Sequence, residues 1–376
     1  MSYRSIDTLQ SELRKSVFNY TKDSKKAAGR ALGTLVEIIT YYLLDSWGMT
    51  ENIAIETPLC EFSNPEIAHN VEFTLHPVVR RDRISCNSGM LPLTPTKLLA
   101  LIPPKVGCQK DSNPFIQRNG IVKNACRICH SKQLMTIATL EEEQSNGELS
   151  IQLTDLLPNP YAMFECKRVG VEEGMRKGPQ TIEKAKQGAY VARVVSVLQR
   201  IRNRDGKLMG FLENGQNAPL YEEYYGLLRK IIDGPAASRL LRNFVLTIGI
   251  ISNHGNWFTK DNMNKELKVL AQSYDWLLFL SDAGLAQFIE DCLFSPSKYP
   301  CTNAAFLNSY PPKDKNRFTK TTIDIKAHFE LKKYFLTNQN EIMSWFNLIS
   351  PTSLKISDLR AQLDALKGKN WEEIYK

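Results

Sequence analysis

Several stretches of the chain place apolar residues three or four positions apart, which is the spacing of one helix face. In the first of them, KKAAGRALGTLVEIITYYLLDSWG, these positions are Leu32, Leu35, Val36, Ile39, Leu43 and Leu44. Gly48 ends this stretch and is a typical residue for a helix end. The pattern predicts helical structure over residues 5–47, 131–144, 181–201, 262–294 and 326–376.

Other apolar runs are short and bounded by Pro, Gly or Asn, as strands are. Residues 50–86 have an extended character, and NVEFTLHPVV (70–79) is a predicted strand within them. ELSIQLTD (148–155) and YAMFECKRV (161–169) are separated by the turn-like LLPNP, and together they predict a β-hairpin. FVLTIGIIS (244–252) predicts a buried strand.

The order of these elements predicts how the chain is divided. Strands and helices alternate through the first two thirds, which indicates an α/β domain over residues 1–255. Within that domain, residues 86–132 are rich in Pro, Gly, Asn and Cys and predict an irregular insertion. Residues 256–376 predict a mainly helical region with a polar, basic segment over 295–325, and this region would supply recognition or dimer contacts.

Composition narrows the class of protein. The chain has 376 residues, of which 43% are hydrophobic, and this supports a sizeable core. The formal net charge of +8 permits a polyanionic partner without requiring one. No apolar run approaches a membrane span of roughly 18 residues, and no signal-peptide core is visible. We therefore expect the 8 cysteines to be reduced thiols in a cytoplasm. The lack of P-loop, GxGxxG and GxSxG motifs argues against nucleotide-dependent and serine-hydrolase chemistry.

The stretch YAMFECKRV carries the most informative charged residues. In a strand, Glu165 and Lys167 project from one face and Cys166 from the other. Charge in a sheet is costly to bury unless it is paired or bound to a metal. One interpretation of Glu165 and Lys167 is therefore half of a metal-dependent site. The alternative interpretation is a surface ion pair, which contributes little stability. Asp324-x-Lys326, with Asp314 upstream, has a similar strand-like context and is a rival site.

Other acidic residues lie at a spacing in the sequence that would let them share a site with Glu165 and Lys167. Asp155 lies ten residues before Glu165, across the predicted hairpin, and the hairpin would bring two carboxylates and an ammonium together. Thr154, not a proline, precedes Asp155, so Glu148 and Glu72 are alternatives for the upstream acid.

These residues resemble the active site of the PD-(D/E)xK nuclease superfamily, and of type II restriction endonucleases in particular. Asp155 followed by Glu165-Cys166-Lys167 is similar to the pattern of its active-site strand. The helix GRALGTLVEIITYYLL, with Glu37 as its single internal acid, resembles the N-terminal helix of many restriction endonucleases.

The next helix extends the resemblance, which covers roughly residues 25–255. KGPQTIEKAKQGAYVA resembles the helix that follows the active-site strand. Gln187 and Tyr190 match the Gln-x-x-Tyr seen in related exonucleases. The implied fold is α/β, with a restriction-endonuclease-like core in which helices flank a mixed central sheet.

The resemblance also implies a chemistry. Asp155 and Glu165 would ligate Mg²⁺, a cation that prefers carboxylate oxygens and keeps several waters. Lys167 would orient or deprotonate the attacking water and offset charge in the transition state. Glu37 would hold a second metal or a metal-bound water.

The implied function is that of a Mg²⁺-dependent type II site-specific deoxyribonuclease that cuts double-stranded DNA in a bacterial or archaeal cytoplasm. A palindromic site favours a homodimer, and a cognate DNA methyltransferase would be the functional partner. One alternative is a repair or recombination nuclease of the same fold that recognises DNA structure. Another is a DNA-binding protein on that scaffold that does not cut.

Two further sets of residues have candidate roles. Cys126 and Cys129 form a C-x-x-C, and with Cys86 and Cys108 they would make a four-thiolate structural zinc site in the insertion. Plain thiols are the alternative. Basic residues that would contact DNA are Arg80, Arg81, Arg83 and Lys184.

Overall fold

The computed structural model describes residues 6–21, 23–144, 147–169, 179–213, 218–234, 238–253, 265–310 and 321–375. Their helices are α1 (Ile6–Ser16), α2 (Ser24–Ser46), α3 (Pro95–Leu99), α4 (Pro179–Val194), α5 (Tyr224–Asp233), α6 (Ser238–Leu241), α7 (Lys265–Ala271), α8 (Asp282–Phe288), α9 (Pro300–Asn308), α10 (Ile325–Thr337), α11 (Gln339–Ser344), α12 (Ile356–Lys367) and α13 (Trp371–Tyr375). The strands are β1 (Ile53–Cys60), β2 (Ala68–Leu75), β3 (Val78–Asn87), β4 (Gln109–Lys110), β5 (Cys126–His130), β6 (Met135–Glu143), β7 (Glu148–Leu156), β8 (Ala162–Val169), β9 (Gln199–Arg202), β10 (Leu208–Leu212), β11 (Leu220–Glu223), β12 (Leu246–Asn253), β13 (Trp276–Leu280) and β14 (Phe346–Ser350).

A six-stranded mixed sheet with the order β1-β2-β8-β12-β13-β14 forms the centre of the molecule. β2 is antiparallel to both of its neighbours, β1 and β8. β8, β12 and β13 are parallel, and β14 is antiparallel to β13. Helices flank both faces: α2 packs on one, and α4 and α7 pack on the other. The prediction of a mixed α/β fold is confirmed. The sheet takes strands from both sequence ranges, 1–255 and 256–376.

The long helix α2 begins and ends where its sequence indicates. Asp23 caps the start, since its side chain accepts a hydrogen bond of 2.9 Å from the amide of Lys26. Gly48 follows the end with a φ of +78°, a left-handed conformation that glycine adopts without strain. The buried face of α2 includes Leu35 and Ile39, which pack in the same core as Phe164 of β8.

The chain between β2 and β8 forms a second sheet, five-stranded and antiparallel, with the order β3-β7-β6-β5-β4. It has an apolar core of its own, which includes Leu93, Phe115, Ile128 and Ile151. Residues 86–132, predicted to be irregular, contribute α3, β4 and β5 to this unit. A small antiparallel sheet, β11-β10-β9, follows α4.

The predicted hairpin between residues 148–155 and 161–169 is wrong. β7 pairs with β3 and β6 in the second sheet, whereas β8 pairs with β2 and β12 in the central sheet. The proline-containing segment 157–160 therefore connects two sheets instead of turning within one. β7 alternates apolar with polar residues, as a strand with one exposed face does, yet it is buried along almost its whole length.

Predicted helices are also wrong where buried strands occur. Residues 135–143 form β6, a strand rich in β-branched residues with neighbours on both sides. The range 262–294 contains β13, whose sequence WLLFL is buried at every position, and 326–376 contains β14. Strands buried on both faces lose the alternation that distinguishes them from helices. The predicted strand at 244–252 is confirmed as β12. No described helix is both long and apolar enough to cross a membrane.

Candidate active site

The stretch YAMFECKRV forms β8, an interior strand of the central sheet between β2 and β12. Phe164 and Cys166 face α2, where the Cys166 Sγ donates a hydrogen bond of 3.4 Å to the Oγ1 of Thr40. Glu165 and Lys167 face α4 on the other side. The pair therefore lies in the middle of the sheet and not on an exposed edge strand.

Glu165 and Lys167 form a largely buried ion pair, with 2.5 Å between the lysine Nζ and the glutamate Oε1. The Glu165 side chain is 8% exposed and the Lys167 side chain 29%. Burial acts to lower the pKa of Lys167, but the nearby carboxylates of Glu165 and Glu72 outweigh it, and the pKa is raised. Lys167 is therefore a cation at neutral pH, able to orient a ligand and to offset negative charge.

A glycine on α4 allows the helix to lie directly against this pair. A Cβ at Gly188 would be 2.4 Å from the Cγ of Glu165 and 2.6 Å from the hydroxyl oxygen of Tyr274. No larger residue fits without a shift of the helix or of Glu165. The sequence KQGAY thus brings the next two side chains of the site, Gln187 and Tyr190, over β8.

We call the space between β2, β8 and α4 the site cavity; its volume is about 660 Å³. His69 and Asn70 of β2 line one side, and the Glu165–Lys167 pair lines the floor. The α4 residues that line it include Lys186, Gln187 and Tyr190. The structure therefore brings together Glu165, Lys167, Gln187 and Tyr190, four residues predicted from the sequence.

At the site cavity, Tyr190 also joins two residues that the sequence did not indicate, His69 and Glu61. The Nε2 of His69 lies 2.9 Å from the Oε1 of Glu61, and the hydroxyl of Tyr190 donates to the same oxygen over 2.9 Å. The hydrogen bond from His69, with that from Tyr190, lowers the pKa of Glu61. His69 directly precedes the predicted strand 70–79, and a polar pair at a strand start was the available signal.

Glu72 lies at a break in the pairing of β1 with β2. The paired residues stop at Ile55 with Phe73 and resume at Thr57 with Val71, and Glu56 has a φ of 52°. This conformation is uncommon for a residue with a side chain. The two strands exchange faces there, because Phe73 packs on the α2 side of the sheet and Val71 on the α4 side.

Glu72 and Glu37 line a neighbouring cavity of about 350 Å³ on the α2 side. Burial raises the pKa of the Cys166 thiol well above its usual range, and the charges of Glu72 and Glu37 add to this effect. The charge of Glu72 also acts on Lys167. The charge of Glu37 therefore acts on Cys166, and that of Glu72 acts on Cys166 and on Lys167, which project from opposite faces of β8.

Asp155, predicted as the upstream acid, does not line the site cavity. It lies on β7 in the second sheet, where Lys105 donates to both of its oxygens and Thr136 donates a hydrogen bond of 2.7 Å. Glu148 begins the same strand, opposite Asn87. Its expected proximity to Glu165 followed from the predicted hairpin, which is wrong because the two strands belong to different sheets.

The rival pair at Asp324 and Lys326 is the start of a helix and not a strand. Asp324 caps α10 by accepting a hydrogen bond of 2.9 Å from the amide of Ala327. Two residues separated by one position do not share a helix face. Asp314 lies outside the described residues.

The four cysteines predicted to bind zinc fall into two pairs. Cys86 and Cys126 pack within the apolar core of the second sheet. Cys108 adjoins Cys129. Burial is the main cause, and the Cys129 thiol the second, that raises the pKa of Cys108 to about 12. No group of three or more His, Cys, Asp or Glu side chains suited to a metal occurs among the residues that the structure describes. The zinc site stays a prediction.

The predicted basic contacts Arg80, Arg81 and Arg83 are exposed on β3, an edge strand of the second sheet. Each has a carboxylate partner, with nitrogen–oxygen distances of 2.8 Å to Asp82, 2.6 Å to Glu51 and 2.7 Å to Glu141 respectively. The backbone of Lys184 belongs to α4, but its side chain lies outside the described part of the chain.

Comparisons of the chain with protein-family models, with curated proteins and with solved structures found no match.

Proposed function

We propose that the chain is a Mg²⁺-dependent endonuclease of double-stranded DNA with a restriction-endonuclease-like core. The observation that carries this proposal is the Glu165–Lys167 pair, held in a central strand at the floor of a cavity and covered by Gln187 and Tyr190. A surface ion pair has no need of an interior strand or of a glycine-mediated helix contact. Perturbed, partly buried charges that face a cavity are typical of functional sites.

The order of elements supports the same proposal. A helix with an internal acid (α2) is followed by two antiparallel strands, and then by the strand with Glu-x-Lys (β8). A helix (α4) and a parallel strand (β12) complete the core. The second sheet is inserted between β2 and β8, which separates the parts of the core in sequence but not in space.

Glu72 replaces Asp155 in the proposed site. It lies on β2, directly beside β8, and its charge acts on both Lys167 and Cys166. Glu72 and Glu165 supply two hard carboxylate donors, which is the number that Mg²⁺ commonly takes from a protein when waters and phosphate oxygens complete its shell. Glu165 faces the site cavity whereas Glu72 lines the neighbouring cavity on the α2 side, so binding of one cation by both would require Glu72 to turn toward Glu165. Glu165 would also have to share its carboxylate with Lys167.

The chain's own residues define the rest of the chemistry. When bound, Mg²⁺ would acidify water and stabilise charge on the phosphate. Lys167, protonated because its pKa is raised, would hold the attacking water or a phosphate oxygen and offset negative charge in the transition state. Its positive charge excludes it as the base, so the proton of the water would go to solvent. Lys186 at the cavity wall would attract the DNA backbone.

Sequence specificity and assembly follow from the restriction-enzyme part of the proposal. A palindromic target would be matched by a two-fold dimer, and a methyltransferase would protect host DNA. The second sheet, inserted beside the core, is the structural candidate for contacts with bases.

The test is cleavage by Lys167→Ala beside the unaltered protein, on unmethylated plasmid with Mg²⁺. We expect at least about 100-fold slower cleavage, because a charge-stabilising group at the reaction centre is lost. Binding of the same DNA in EDTA should persist. Lys230→Ala, which removes an exposed lysine on α5 that has no role in the proposed site, is the matched control and should cut normally. Cleavage by Lys167→Ala at the rate of the unaltered protein would refute the site. If the unaltered protein cuts neither plasmid nor branched nor single-stranded DNA, the result would favour a binding protein.

A further inference from the structure

Three residues at the rim of the site cavity form a hydrogen-bonded group, and two of them, His69 and Glu61, have no part in the reaction proposed above. His69 comes from β2, Glu61 from the segment after β1, and Tyr190 from α4. Glu61 and His69 are eight residues apart in sequence, whereas Tyr190 is more than a hundred residues further along the chain. His69 and Tyr190 line the same cavity as the Glu165–Lys167 pair.

The geometry fixes the orientation of the imidazole. Nε2 of His69 is 2.9 Å from Oε1 of Glu61. The ring is also held edge-to-face by Tyr190, with 5.7 Å between ring centroids and 76° between planes. The Glu61 side chain is 6% exposed, whereas that of His69 is 25% exposed. A buried carboxylate thus supports a histidine that is accessible from the cavity.

This arrangement selects the nitrogen that can act. A carboxylate accepts only, so Nε2 carries a proton and donates it to Glu61. Nδ1 has no hydrogen-bond partner among the described residues, so it is the nitrogen able to exchange a proton with a bound molecule. A carboxylate that orients a histidine in this way is the support used in hydrolytic triads. The hydroxyl of Tyr190 holds the same carboxylate oxygen and fixes Glu61 in turn.

We propose that His69 is a catalytic residue that protonates the leaving oxygen, with Glu61 and Tyr190 as positioning residues. The proposal rests on the proposed nuclease function. Water forms the new P–O bond and releases a proton to solvent, while the P–O3′ bond breaks and its electron pair stays on the 3′-oxygen. Nδ1–H of His69 gives its proton to that oxygen, so the products are a 5′-phosphate and a 3′-hydroxyl. The neutral ring then takes a proton from solvent.

A leaving group that needs no proton separates this role from a structural one. The cleavage site would first be found by sequencing the ends of digested DNA. Two duplexes that contain this site would then be compared, one with the normal 3′-oxygen at the scissile bond and one with a bridging 3′-sulfur. A sulfur anion is a much weaker base than an alkoxide and leaves unprotonated. Loss of the acid should therefore slow only the oxygen duplex, by about 100-fold or more for His69→Asn.

The comparison includes two positioning variants and one control. Glu61→Gln and Tyr190→Phe should slow the oxygen duplex by about 10-fold and leave the sulfur duplex near the rate of the unaltered protein. Lys167→Ala should slow both duplexes alike, because it acts on the phosphate. Binding in EDTA, measured by fluorescence anisotropy, should be unchanged in all variants. Tyr190 is 52% exposed, so its variant provides the comparison even if His69→Asn fails to fold.

The outcomes separate the two proposals. Selective rescue by sulfur supports His69 as the acid. If the unaltered protein cleaves, two results would overturn the role of His69 and leave the nuclease function in place. In one, His69→Asn cleaves at the normal rate; in the other, it is slowed equally on both duplexes. Absence of cleavage by the unaltered protein on either duplex and on all other DNAs would overturn both.

Discussion

Replacing Gly188 with alanine tests whether α4 lies against the Glu165–Lys167 pair. The added methyl would be 2.4 Å from the Cγ of Glu165 and 2.6 Å from the hydroxyl oxygen of Tyr274, which is buried. Both distances are far below van der Waals contact, so Glu165 or the helix has to move. A misplaced carboxylate should slow cleavage by about 100-fold, whereas DNA binding should be retained.

Gly33 provides a matched control for stability. It also lies inside a helix, α2, but a Cβ there meets nothing within 4 Å. Both substitutions gain about 1 kcal/mol in helix propensity, so this gain cancels in the comparison. The free energies of unfolding should then differ by the overpacking cost alone, about 1–3 kcal/mol.

The assay is thermal unfolding of the two variants, followed by cleavage. With 376 residues and about 2.1 cal/mol/K per residue, the unfolding entropy is near 0.8 kcal/mol/K, and each kcal/mol shifts Tm by about 1.3 °C. Gly188→Ala should therefore melt about 1–4 °C below Gly33→Ala, and Gly33→Ala should cleave normally. Equal melting temperatures with full cleavage by Gly188→Ala would refute the close contact between α4 and β8.

Three other predictions concern stability and the upstream acid. Asp275→Ala should cost about 3–5 kcal/mol in denaturant unfolding, because its 2% exposed side chain neutralises a buried arginine; a loss below 1 kcal/mol would contradict this. Burial lowers the pKa of His76 to about 4 and that of His328 to about 3, so the folded state binds fewer protons than the unfolded state. Stability should be full above pH 6.5, the ordinary pKa of histidine, and fall as the pH drops toward 4, by up to about 1.4 kcal/mol per pH unit for each ring. Urea titrations at several pH values measure this, and an unfolding free energy that did not change with pH would show that the rings are solvated. Glu72→Gln should abolish cleavage while Asp155→Asn should cleave once folded, and the reverse result would restore the upstream acid inferred from the sequence.

The sequence was sufficient where local patterns decide the structure. The apolar periodicity of α2, its end at Gly48 and the strand at 244–252 all depend on nearby residues. The face shared by Glu165 and Lys167 also follows from strand geometry alone. These residues formed the centre of the candidate site, and the structure places them beside Gln187 and Tyr190 as expected.

Long-range pairing was beyond the same reasoning. LLPNP is compatible with a hairpin turn, and only competition between partners reveals that β7 joins β6 whereas β8 joins β2. Because of this error, the sequence analysis preferred Asp155 to Glu72 as the upstream acid. His69 and Glu61 were missed for a related reason, since Glu61 receives its hydrogen bonds from His69 and from Tyr190, which lie on two different elements.

The most direct measurement is a digest of unmethylated bacteriophage DNA by the purified protein, with Mg²⁺ and with EDTA, followed by sequencing of the fragment ends. Glu165→Gln, which keeps the shape of the side chain, would be run in parallel. We predict discrete fragments that share one end sequence, formed only with Mg²⁺ and not by the variant. A Mg²⁺-dependent smear would leave the nuclease and remove its sequence specificity. Intact DNA under all conditions, or equal cutting by Glu165→Gln, would contradict the assignment of β8 as the active-site strand.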